Sequence, residues 1–453
     1  MTIFEMIKNY ADKKPGGLAF IDENHNISYR KLWEILQSNR YNLLQKGIHN
    51  KIVVYKIGSQ VKFAVDFLCL MSANCWIIPV SAELSRQEYK RIVTTYDIDY
   101  EIDSSFLELS TLKIKHKNIK VNERECGLFH LTSGTTGEPK LCVRSLKALK
   151  EEGLSYMKMM SLQSSKIISI SPIYHSFALG AAYMAGVVSG STVYLCDKFV
   201  PRKIVEVIAI WRANVIIAVP IMIKAISNVS LNKKYEFSNL RLALVGAGEV
   251  EDESRRAFKE RFGIFVSSNY GSTETGGVIS RITEQPMNSI GKEMDGVEIK
   301  LINQNGNAIV DGEEGEVYVK CKYMMSGYLG EETDYFTKDG FFSMGDIMSR
   351  DDRGYYYIKG RVKNMINVGG KKVNPKEVED VLLQYPGIKD CVVYKSMRDN
   401  KQEIVKAIIV GIAVDESKLR LYMKENLASY KIPSQIEYKD SIKRNILGKK
   451  IKE

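Results

Sequence analysis

A run of glycines and hydroxyl side chains is the segment of this sequence whose residue types most directly suggest chemistry. It extends from Leu131 to Lys140 and reads Leu-Thr-Ser-Gly-Thr-Thr-Gly-Glu-Pro-Lys. Glycines let the backbone turn several N–H groups toward one anion, and the hydroxyls and the lysine add further donors, as in loops that hold phosphate. The spacing differs from a Walker A loop, because no Gly-Lys-Ser/Thr follows four residues after a glycine. The segment therefore predicts a phosphate site of another kind.

Six more short motifs follow this segment along the chain. They are Gly246-Ala-Gly248, Tyr270-Gly-Ser-Thr-Glu274, Gly345-Asp346, Gly360-Arg361, the loop from Val368 to Pro375, and Gly448-Lys449. In order and spacing the whole set resembles the signature of the acyl-adenylate-forming superfamily. That superfamily includes acyl-CoA synthetases, aryl-acid activating enzymes, adenylation domains of peptide synthetases and firefly luciferase. The resemblance covers essentially the whole chain.

The resemblance implies catalytic roles for Lys449, His175, Glu274 and Thr132. Lys449 is expected to bridge the substrate carboxylate and the α-phosphate, which orients the reactants and neutralises charge as pyrophosphate leaves. An acid beside phosphate-binding hydroxyls can also help to hold Mg²⁺, so Glu274 is the candidate metal ligand. On composition alone Lys449 would be a solvated charge in a basic tail, and only the motif assigns it a role.

The remaining candidate residues are expected to bind the nucleotide or the thiol. Asp346, which we place at a strand end, can accept hydrogen bonds from ribose hydroxyls, and Arg361 can contact ribose or phosphate. The resemblance makes Gly246, Ala247, Gly248 and Tyr270 a shelf for adenine, on which the tyrosine ring stacks. The full set of expected cofactor-binding residues is Ser133, Gly134, Thr135, Thr136, Gly137, Lys140, Gly246, Ala247, Gly248, Asn269, Tyr270, Gly271, Ser272, Thr273, Asp346, Arg361, Lys363, Gly369 and Gly370.

The pair His175-Ser176 bears on the choice of acid. Acyl- and aryl-acid activating members of the superfamily carry histidine at the position of His175, which lines the route to the acyl pocket. Amino-acid activating domains place an aspartate at the position of Ser176 to hold the substrate ammonium. With serine there an ammonium would be buried unpaired, at a cost of several kcal/mol. We therefore expect a fatty or simple aryl acid, and the resemblance also disfavours salicylate-type acids, whose enzymes carry asparagine at this position.

We expect a motion of the carboxy-terminal domain to open the site to the thiol acceptor. The superfamily rotates this domain about a hinge residue two positions past the arginine, which corresponds to Lys363. The rotation would withdraw Lys449 and bring the loop of Gly369 and Gly370 to the site, where bare backbone leaves room for a pantetheine arm. The thiol is that of CoA or of a carrier protein, and the sequence does not separate the two.

Alternating short apolar runs and helix-length segments predict an α/β fold with mostly parallel sheets flanked by helices. Predicted strands include 51–56, 76–80, 166–171, 192–196, 214–219 and 240–245, and a predicted helix covers 60–72. After about residue 290 the chain becomes turn-rich, which predicts antiparallel hairpins. We expect a large amino-terminal domain over 1–362, with a β subdomain at about 291–362, and a small mobile α+β domain over 363–453.

The composition limits the class of protein and the partners that we expect. The 453 residues are 45% hydrophobic and 26% charged, as in folded globular proteins. Seven scattered cysteines with no Cys-x-x-Cys pair suggest neither a zinc site nor a disulfide framework, and we read 175–195 as core elements rather than a membrane span. We expect a cytoplasmic protein without an integral membrane segment. The net charge of +11 suits CoA phosphates, an acidic carrier or solvated surfaces, and no nucleic acid is expected.

The function predicted from sequence is an ATP-dependent carboxylic acid ligase. It forms acyl-AMP and pyrophosphate with Mg²⁺ and passes the acyl group to a phosphopantetheine thiol, most simply that of CoA. One alternative is a stand-alone aryl-acid adenylating enzyme that loads a carrier protein in siderophore or polyene assembly. An alternative of another class is an inactive nucleotide-binding regulatory protein, which should lack Lys449 or Glu274, whereas both are present.

Overall fold

A computed structural model of the protein describes residues 1–96, 98–103, 125–132, 140–284, 286–303, 305–331, 334–368, 371–398, 403–411 and 415–443. The chain divides into two compact units. Unit 1 comprises 1–298 and 319–342, and unit 2 comprises 299–318 and 343–453. The strands of the predicted β subdomain thus group mainly with the carboxy-terminal residues. The hinge at Lys363 and the domain boundary beside it stay predictions.

The strands of unit 1 follow the order expected of an α/β protein. Their bounds are β1 Leu18–Ile21, β2 Asn26–Ser28, β3 Ile52–Ile57, β4 Trp76–Ser81, β5 Tyr100–Asp103, β6 Gly127–Thr132, β7 Lys140–Ser145, β8 Lys166–Ser169, β9 Thr192–Leu195, β10 Val215–Ala218, β11 Leu242–Val245, β12 Val266–Ser272, β13 Gly276–Arg281 and β14 Lys292–Glu293.

The helices of unit 1 lie between these strands. Their bounds are α1 Ile3–Lys13, α2 Tyr29–Gln45, α3 Gln60–Ser72, α4 Arg86–Thr95, α5 Leu146–Met159, α6 Ser176–Ala178, a π-helix Leu179–Met184, α7 Ala185–Ser189, α8 Pro201–Ile210, α9 Pro220–Asn228 and α10 Asp252–Phe262. Several helices begin at a serine or threonine whose side chain accepts a backbone N–H, such as Ser59 before α3 and Ser145 before α5.

Two sheets carry the core of unit 1. Among the described residues, one sheet has nine strands in the order β14-β13-β12-β11-β10-β8-β9-β1-β2, and the other has five in the order β5-β3-β4-β6-β7. The central strands of both sheets pair in parallel, and antiparallel pairs lie toward the edges. Apolar residues of α3 and of the helical stretch 178–187 are buried together in one cluster. The predicted α/β class with mostly parallel sheets is confirmed.

Unit 2 combines hairpins with a small α+β domain. Its elements are β15 Glu298–Ile302, β16 Glu314–Lys320, β17 Phe342–Arg350, β18 Tyr356–Arg361, β19 Ile366–Val368, β20 Lys371–Val373, α11 Pro375–Leu383, β21 Ile388–Met397, β22 Glu403–Gly411, α12 Glu416–Asn426 and β23 Gln435–Tyr438. Strands β15 to β18 form a single sheet, with β17 and β18 antiparallel. Strands β21 to β23 form another sheet, and a separate apolar cluster joins it to α11 and α12.

Within the described ranges, no helix combines the length and the apolar character needed to cross a membrane. The stretch 175–195 forms α6, the π-helix, α7 and β9, and its helical part is buried in the core of unit 1. All seven cysteines lie in the described part of the chain and are free thiols.

Candidate active site

The hairpin of β6 and β7 brings the two ends of the glycine- and hydroxyl-rich segment together. Thr132 at the end of β6 pairs with Lys140 at the start of β7, and the Thr132 hydroxyl donates to the Lys140 carbonyl at 3.3 Å. The predicted phosphate-binding residues between them, Ser133, Gly134, Thr135, Thr136 and Gly137, lie outside the described residues. The strands therefore hold Thr132 and Lys140 on either side of that segment.

The Lys140 ammonium is held by two tyrosines and a carboxylate. Its Nζ lies 3.0 Å from Glu331 Oε2 and 3.1 Å from the Tyr335 hydroxyl. The same atom lies 5.1 Å and 5.3 Å from the ring centres of Tyr328 and Tyr335, which are cation–π distances. The two rings meet edge to face, with centroids 4.8 Å apart. These contacts give Lys140 a defined position although its side chain stays partly exposed.

Glu274 lies in the turn between β12 and β13 and shares one of these tyrosines. The Tyr328 hydroxyl donates to Glu274 Oε1 at 2.7 Å, and the Met325 N–H donates to the Glu274 carbonyl at 2.7 Å. Burial, followed by the Glu274 charge, raises the pKa of Tyr328, so its hydroxyl remains a donor at neutral pH. Tyr328 therefore connects the candidate metal ligand to the candidate phosphate ligand Lys140.

Reciprocal hydrogen bonds close the turn that carries Thr273 and Glu274. The Ser272 N–H donates to the Thr275 hydroxyl oxygen, and the Thr275 N–H donates to the Ser272 hydroxyl oxygen, each at 3.2 Å. Gly271 precedes the turn at a shift in the β12–β13 register. The expected residues from Asn269 to Glu274 are thus contiguous in space along β12 and its turn.

The predicted adenine shelf follows β11. A Cβ added to Gly246 would lie 2.9 Å from Cγ of the Phe177 ring, so this ring lies directly on glycine backbone. Ala247 adopts a φ of +64°, a left-handed conformation that is unusual for a residue other than glycine. Such strain is often concentrated at binding sites. The predicted role of Gly246, Ala247, Gly248 and Tyr270 in holding adenine remains a proposal.

His175 and Ser176 begin the helical stretch beside the β12–β13 turn. The Ser176 hydroxyl lies 3.5 Å from the Thr273 hydroxyl. The ring centroids of His175 and Tyr174 lie 4.6 Å apart, and His175 is exposed to solvent. The surrounding protein lowers the pKa of His175 by desolvation, which favours a neutral imidazole at physiological pH. The helix start and the Thr273–Glu274 turn are therefore neighbours in space.

Unit 2 carries a second group of candidate residues. Asp346 lies inside β17 rather than at a strand end, and it pairs across the sheet with Arg361 of β18. Arg361 Nε lies 2.6 Å from Asp346 Oδ1, and Arg361 Nη2 lies 3.3 Å from Oδ2. The Asp346 side chain is 5% exposed and that of Arg361 is 47% exposed. Lys363 follows in an exposed 3₁₀ turn over 362–364.

Three more expected site residues, Gly369, Gly370 and Lys449, lie outside the described residues, so their roles stay predictions. In the described part of the chain, no three His, Cys, Asp or Glu side chains group as metal ligands would. Glu274 therefore stands as a single candidate ligand for a magnesium ion that phosphates would also coordinate.

The sequence interpretation missed a buried ion pair behind this site. Arg144 Nη2 lies 3.0 Å from Glu152 Oε2, and both side chains are 0% exposed. Arg144 Nη2 also donates to the Tyr323 carbonyl at 2.8 Å, and Glu152 Oε1 accepts the Gly277 N–H at 3.2 Å. Burial raises the pKa of the Glu152 carboxyl, and the Arg144 charge opposes that rise. The sequence signal was an arginine ending the apolar run Leu-Cys-Val of β7, eight residues before a glutamate.

Comparison with known proteins identifies the family. The sequence pattern of AMP-binding enzymes matches residues 107–329, and that of the AMP-binding enzyme C-terminal domain matches residues 377–449. The chain belongs to the AMP-binding enzyme family. The second match ends at Lys449, the residue predicted to act in adenylation. The chain is thus an acid–thiol ligase of this family.

Relatives and solved structures agree in fold and class. Feruloyl-CoA synthase of an Amycolatopsis species is 29% identical over 356 residues, which cover 76% of this chain and 72% of that protein. An uncharacterised acyl-CoA ligase of Bacillus subtilis is 26% identical over 99% of this chain and 96% of its own length. The ATP-bound crystal structure of MatB from Rhodopseudomonas palustris superposes with a TM-score of 0.83 at 22% identity, covering 99% and 97% of the two chains. The chain therefore has the adenylate-forming fold along nearly its whole length.

Proposed function

We propose that this ligase activates a fatty or aryl carboxylic acid with ATP and transfers the acyl group to CoA. The observation that carries the proposal is the cluster in which Tyr328 joins Glu274 to Lys140, which lies at one end of the predicted phosphate-binding segment. The cluster holds a carboxylate suited to Mg²⁺ and an ammonium suited to phosphate on one framework. The family match and the names of the relatives, which include feruloyl-CoA synthase, support the same reaction.

The chain's own residues fit MgATP. Bound MgATP would supply an electrophilic α-phosphorus and a pyrophosphate leaving group. Glu274 would help to hold the metal, and Lys140 with the segment 133–137 would contact the phosphates. The glycine backbone at 246–248 and the ring of Tyr270 would hold adenine, while Asp346 and Arg361 would contact ribose. Lys449 would hold the acid carboxylate and the α-phosphate together.

The uncharged side chains of Ser176 and Thr273 favour an acid without an ammonium group. The Ser176 hydroxyl faces the Thr273 hydroxyl, and neither group can balance a buried cation. The Phe177 ring packs on Gly246 next to this position and contributes apolar surface. These features favour an acyl or aryl group over an α-amino acid.

Pyrophosphate exchange with a panel of fatty, aryl and α-amino acids tests the first half-reaction. We expect exchange with fatty or aryl acids and nearly none with any free α-amino acid, because an unpaired ammonium costing about 3 kcal/mol already gives more than a hundredfold discrimination. Adding CoA or a phosphopantetheinylated carrier protein then tests the acceptor. Thioester formation with CoA supports the proposal, and transfer to the carrier protein alone would assign the enzyme to carrier loading instead.

We propose that the carboxy-terminal domain rotates about Lys363 as a hinge between the two half-reactions. Asn374 caps α11 and its side-chain amide donates to the Lys359 carbonyl at 2.7 Å, so this contact joins the two sides of Lys363. A rotation at Lys363 would separate Asn374 from Lys359.

Lys363→Pro should therefore spare adenylation and slow thioester formation, because proline fixes φ and prevents the backbone from adopting both orientations. Single-turnover rates of each half-reaction measure the difference, and Lys363→Ala, which keeps the backbone free, is the matched control. Equal loss of both half-reactions in the proline variant would exclude Lys363 as the hinge.

A further inference from the structure

Lys140, the candidate phosphate ligand at the start of β7, is paired with a carboxylate of its own chain. It directly follows the segment predicted to bind phosphate, and its Nζ lies 3.0 Å from Glu331 Oε2. The two side chains are 29% and 30% exposed, so both remain accessible from solvent. A nucleotide phosphate that reaches Lys140 therefore meets an ammonium that already has an anionic partner.

Backbone hydrogen bonds place Glu331 beside Lys140. The Leu329 N–H donates at 2.8 Å to the carbonyl of the residue that follows Lys140. The Glu331 N–H then donates to the Tyr328 carbonyl at 3.2 Å, across a turn in which Gly330 has a φ of +79°. Glycine adopts this left-handed conformation without strain. The position of Glu331 is thus set by the pairing with β7 and by the turn, and not only by the ion pair.

Tyr335 links the two charged groups. The Lys140 ammonium donates to the Tyr335 hydroxyl oxygen at 3.1 Å, and this hydroxyl donates to Glu331 Oε2. An ammonium has three donors, and two of them are directed to Glu331 and Tyr335. The rings of Tyr328 and Tyr335 face the same charge at cation–π distances. The contacts of the described residues thus leave Lys140 one donor for a ligand.

Glu331 and a phosphate are alternative partners for this ammonium. Both are anions that bind lysine through charge-assisted hydrogen bonds. A carboxylate 3.0 Å from the ammonium also offsets its charge for a second anion, and two anions held close together repel each other. A phosphate that binds Lys140 must therefore displace Glu331 or be weakened by its repulsion.

We propose that Glu331 competes with the nucleotide phosphates for Lys140, so that MgATP binds by exchanging this ion pair for a phosphate contact. This inference rests on the proposed function, in which Lys140 contacts phosphate. Glu331 is a positioning residue, because it acts through Lys140 and does not touch the reacting atoms. Since the same competition applies to pyrophosphate, Glu331 weakens the binding of this product as well and helps it to leave.

The first test measures binding of α,β-methylene-ATP with Mg²⁺ to the full chain by titration calorimetry, so that no turnover is involved. Glu331→Gln keeps the shape of the side chain and removes its charge, and the Kd should fall about threefold, as for a partly exposed ion pair. Asp334→Asn is the matched control, because it removes one negative charge from the same segment and keeps the oxygen that accepts the Phe336 N–H. An unchanged or higher Kd in Glu331→Gln, or an equal fall in Asp334→Asn, would overturn the proposal.

A double-mutant cycle tests whether the effect of Glu331 acts through Lys140. Lys140→Met removes the ammonium and should raise the Kd about tenfold, because a charge-assisted contact with phosphate is lost. Adding Glu331→Gln to Lys140→Met should leave the Kd nearly unchanged, since no ammonium remains to compete for. An equal fall in both backgrounds, or a Lys140→Met variant that binds as tightly as wild type, would contradict the competition. Thermal unfolding identifies which variants fold.

Acid-dependent pyrophosphate exchange separates a failure of this inference from a failure of the proposed function. In Glu331→Gln the KM for MgATP and the KM for pyrophosphate should both fall about threefold, and kcat should not rise, because the product is held more tightly. Exchange with wild-type KM values in this variant would overturn the competition and leave the proposed function intact. Absence of exchange with every acid in the wild-type enzyme would overturn the proposed function on which the inference rests.

Discussion

The pair of Arg144 and Glu152 in unit 1 and the pair of Asp346 and Arg361 in unit 2 differ in solvent exposure. Arg144 and Glu152 in unit 1 are both 0% exposed, and their additional partners are backbone groups. In unit 2, Asp346 is 5% exposed but Arg361 is 47% exposed. A fully enclosed pair cannot reach a ligand, whereas a half-exposed guanidinium keeps donors available to one.

The same difference extends to the other candidate residues. In unit 1, Glu274, Thr273 and Lys140 are each fixed by hydrogen bonds or ring contacts from neighbouring segments. In unit 2, Lys363 is exposed in a short 3₁₀ turn. We therefore expect changes at the buried ion pair of unit 1 to affect stability, and changes at Lys363 and Lys449 of unit 2 to affect single half-reactions.

Lys449→Ala should give the largest loss of rate. This variant tests whether a residue of unit 2 can act in one half-reaction and not in the other. Loss of this cation should slow acyl-AMP formation by on the order of 10³-fold, because it removes charge stabilisation where pyrophosphate leaves. Conversion of supplied acyl-AMP to thioester should persist, and rapid-quench assays of each step measure the separation. Lys450→Ala, which changes the neighbouring lysine, is the control. Adenylation at near wild-type rate would show that Lys449 is not the catalytic lysine.

Glu152→Ala should give the next largest effect, on stability rather than on one half-reaction. Removing one partner leaves Arg144 buried without its counter-charge, which typically costs about 3–5 kcal/mol of unfolding free energy. Urea unfolding measures the loss. R144M/E152L, which removes both charges and keeps the volume, should recover most of it. If Glu152→Ala is as stable as wild type, the pair is not the buried element described above.

Arg361→Ala should have a smaller and different effect. Because the guanidinium is half exposed, its pairing with Asp346 should contribute less than about 1 kcal/mol to stability. Its proposed contact with the nucleotide should instead raise the KM for ATP by about tenfold, the equivalent of one charge-assisted hydrogen bond. Lys359→Ala, on the same strand, is the control. An unchanged KM for ATP would exclude Arg361 from the nucleotide site.

The pH dependence of stability in His130→Leu tests whether His130, in strand β6 of unit 1, is buried. Burial lowers the pKa of His130 to about 3, below the usual value near 6.5 in the unfolded chain. The unfolded chain therefore binds more protons below pH 6.5, and the stability contributed by neutral His130 falls as pH drops from 6.5 toward 3. The slope is about 1.4 kcal/mol per pH unit.

Urea unfolding at pH 7 and pH 5 should show a larger loss for wild type than for His130→Leu. Equal losses in the two proteins would mean that His130 is accessible to protons in the folded state. The remaining histidines, which both proteins share, provide the internal reference for this comparison.

Much of the fold followed from local patterns. The helix predicted at 60–72 is observed at those bounds, and the predicted strands differ from the observed ones by a few residues at their ends. Short β-branched runs and helical spacing are local signals, and here tertiary packing agreed with them. The motifs of Thr132, Lys140 and Glu274 were recognised in the sequence, but the strands β6, β7 and β12 beside them were not predicted, and the roles of these residues stay predictions.

Contacts between distant segments could not be predicted from the sequence. Nothing local pairs Arg144 with Glu152, or brings Tyr328 to Glu274, because these contacts depend on how α5 and the segment 323–331 pack on β7 and β13. Asp346 was expected at a strand end, yet it lies within β17, since the hairpin register continues to Arg361.

Oxygen transfer from the acid to AMP tests the central claim most directly. If the carboxylate attacks the α-phosphorus and the thiol of CoA later displaces AMP, one carboxylate oxygen must remain on the AMP. With an acid labelled with ¹⁸O in its carboxylate, mass spectrometry should find one ¹⁸O in AMP, unlabelled pyrophosphate and an acyl-CoA. Formation of ADP with labelled phosphate, or of unlabelled AMP beside the acyl-CoA, would contradict adenylation as the route of activation.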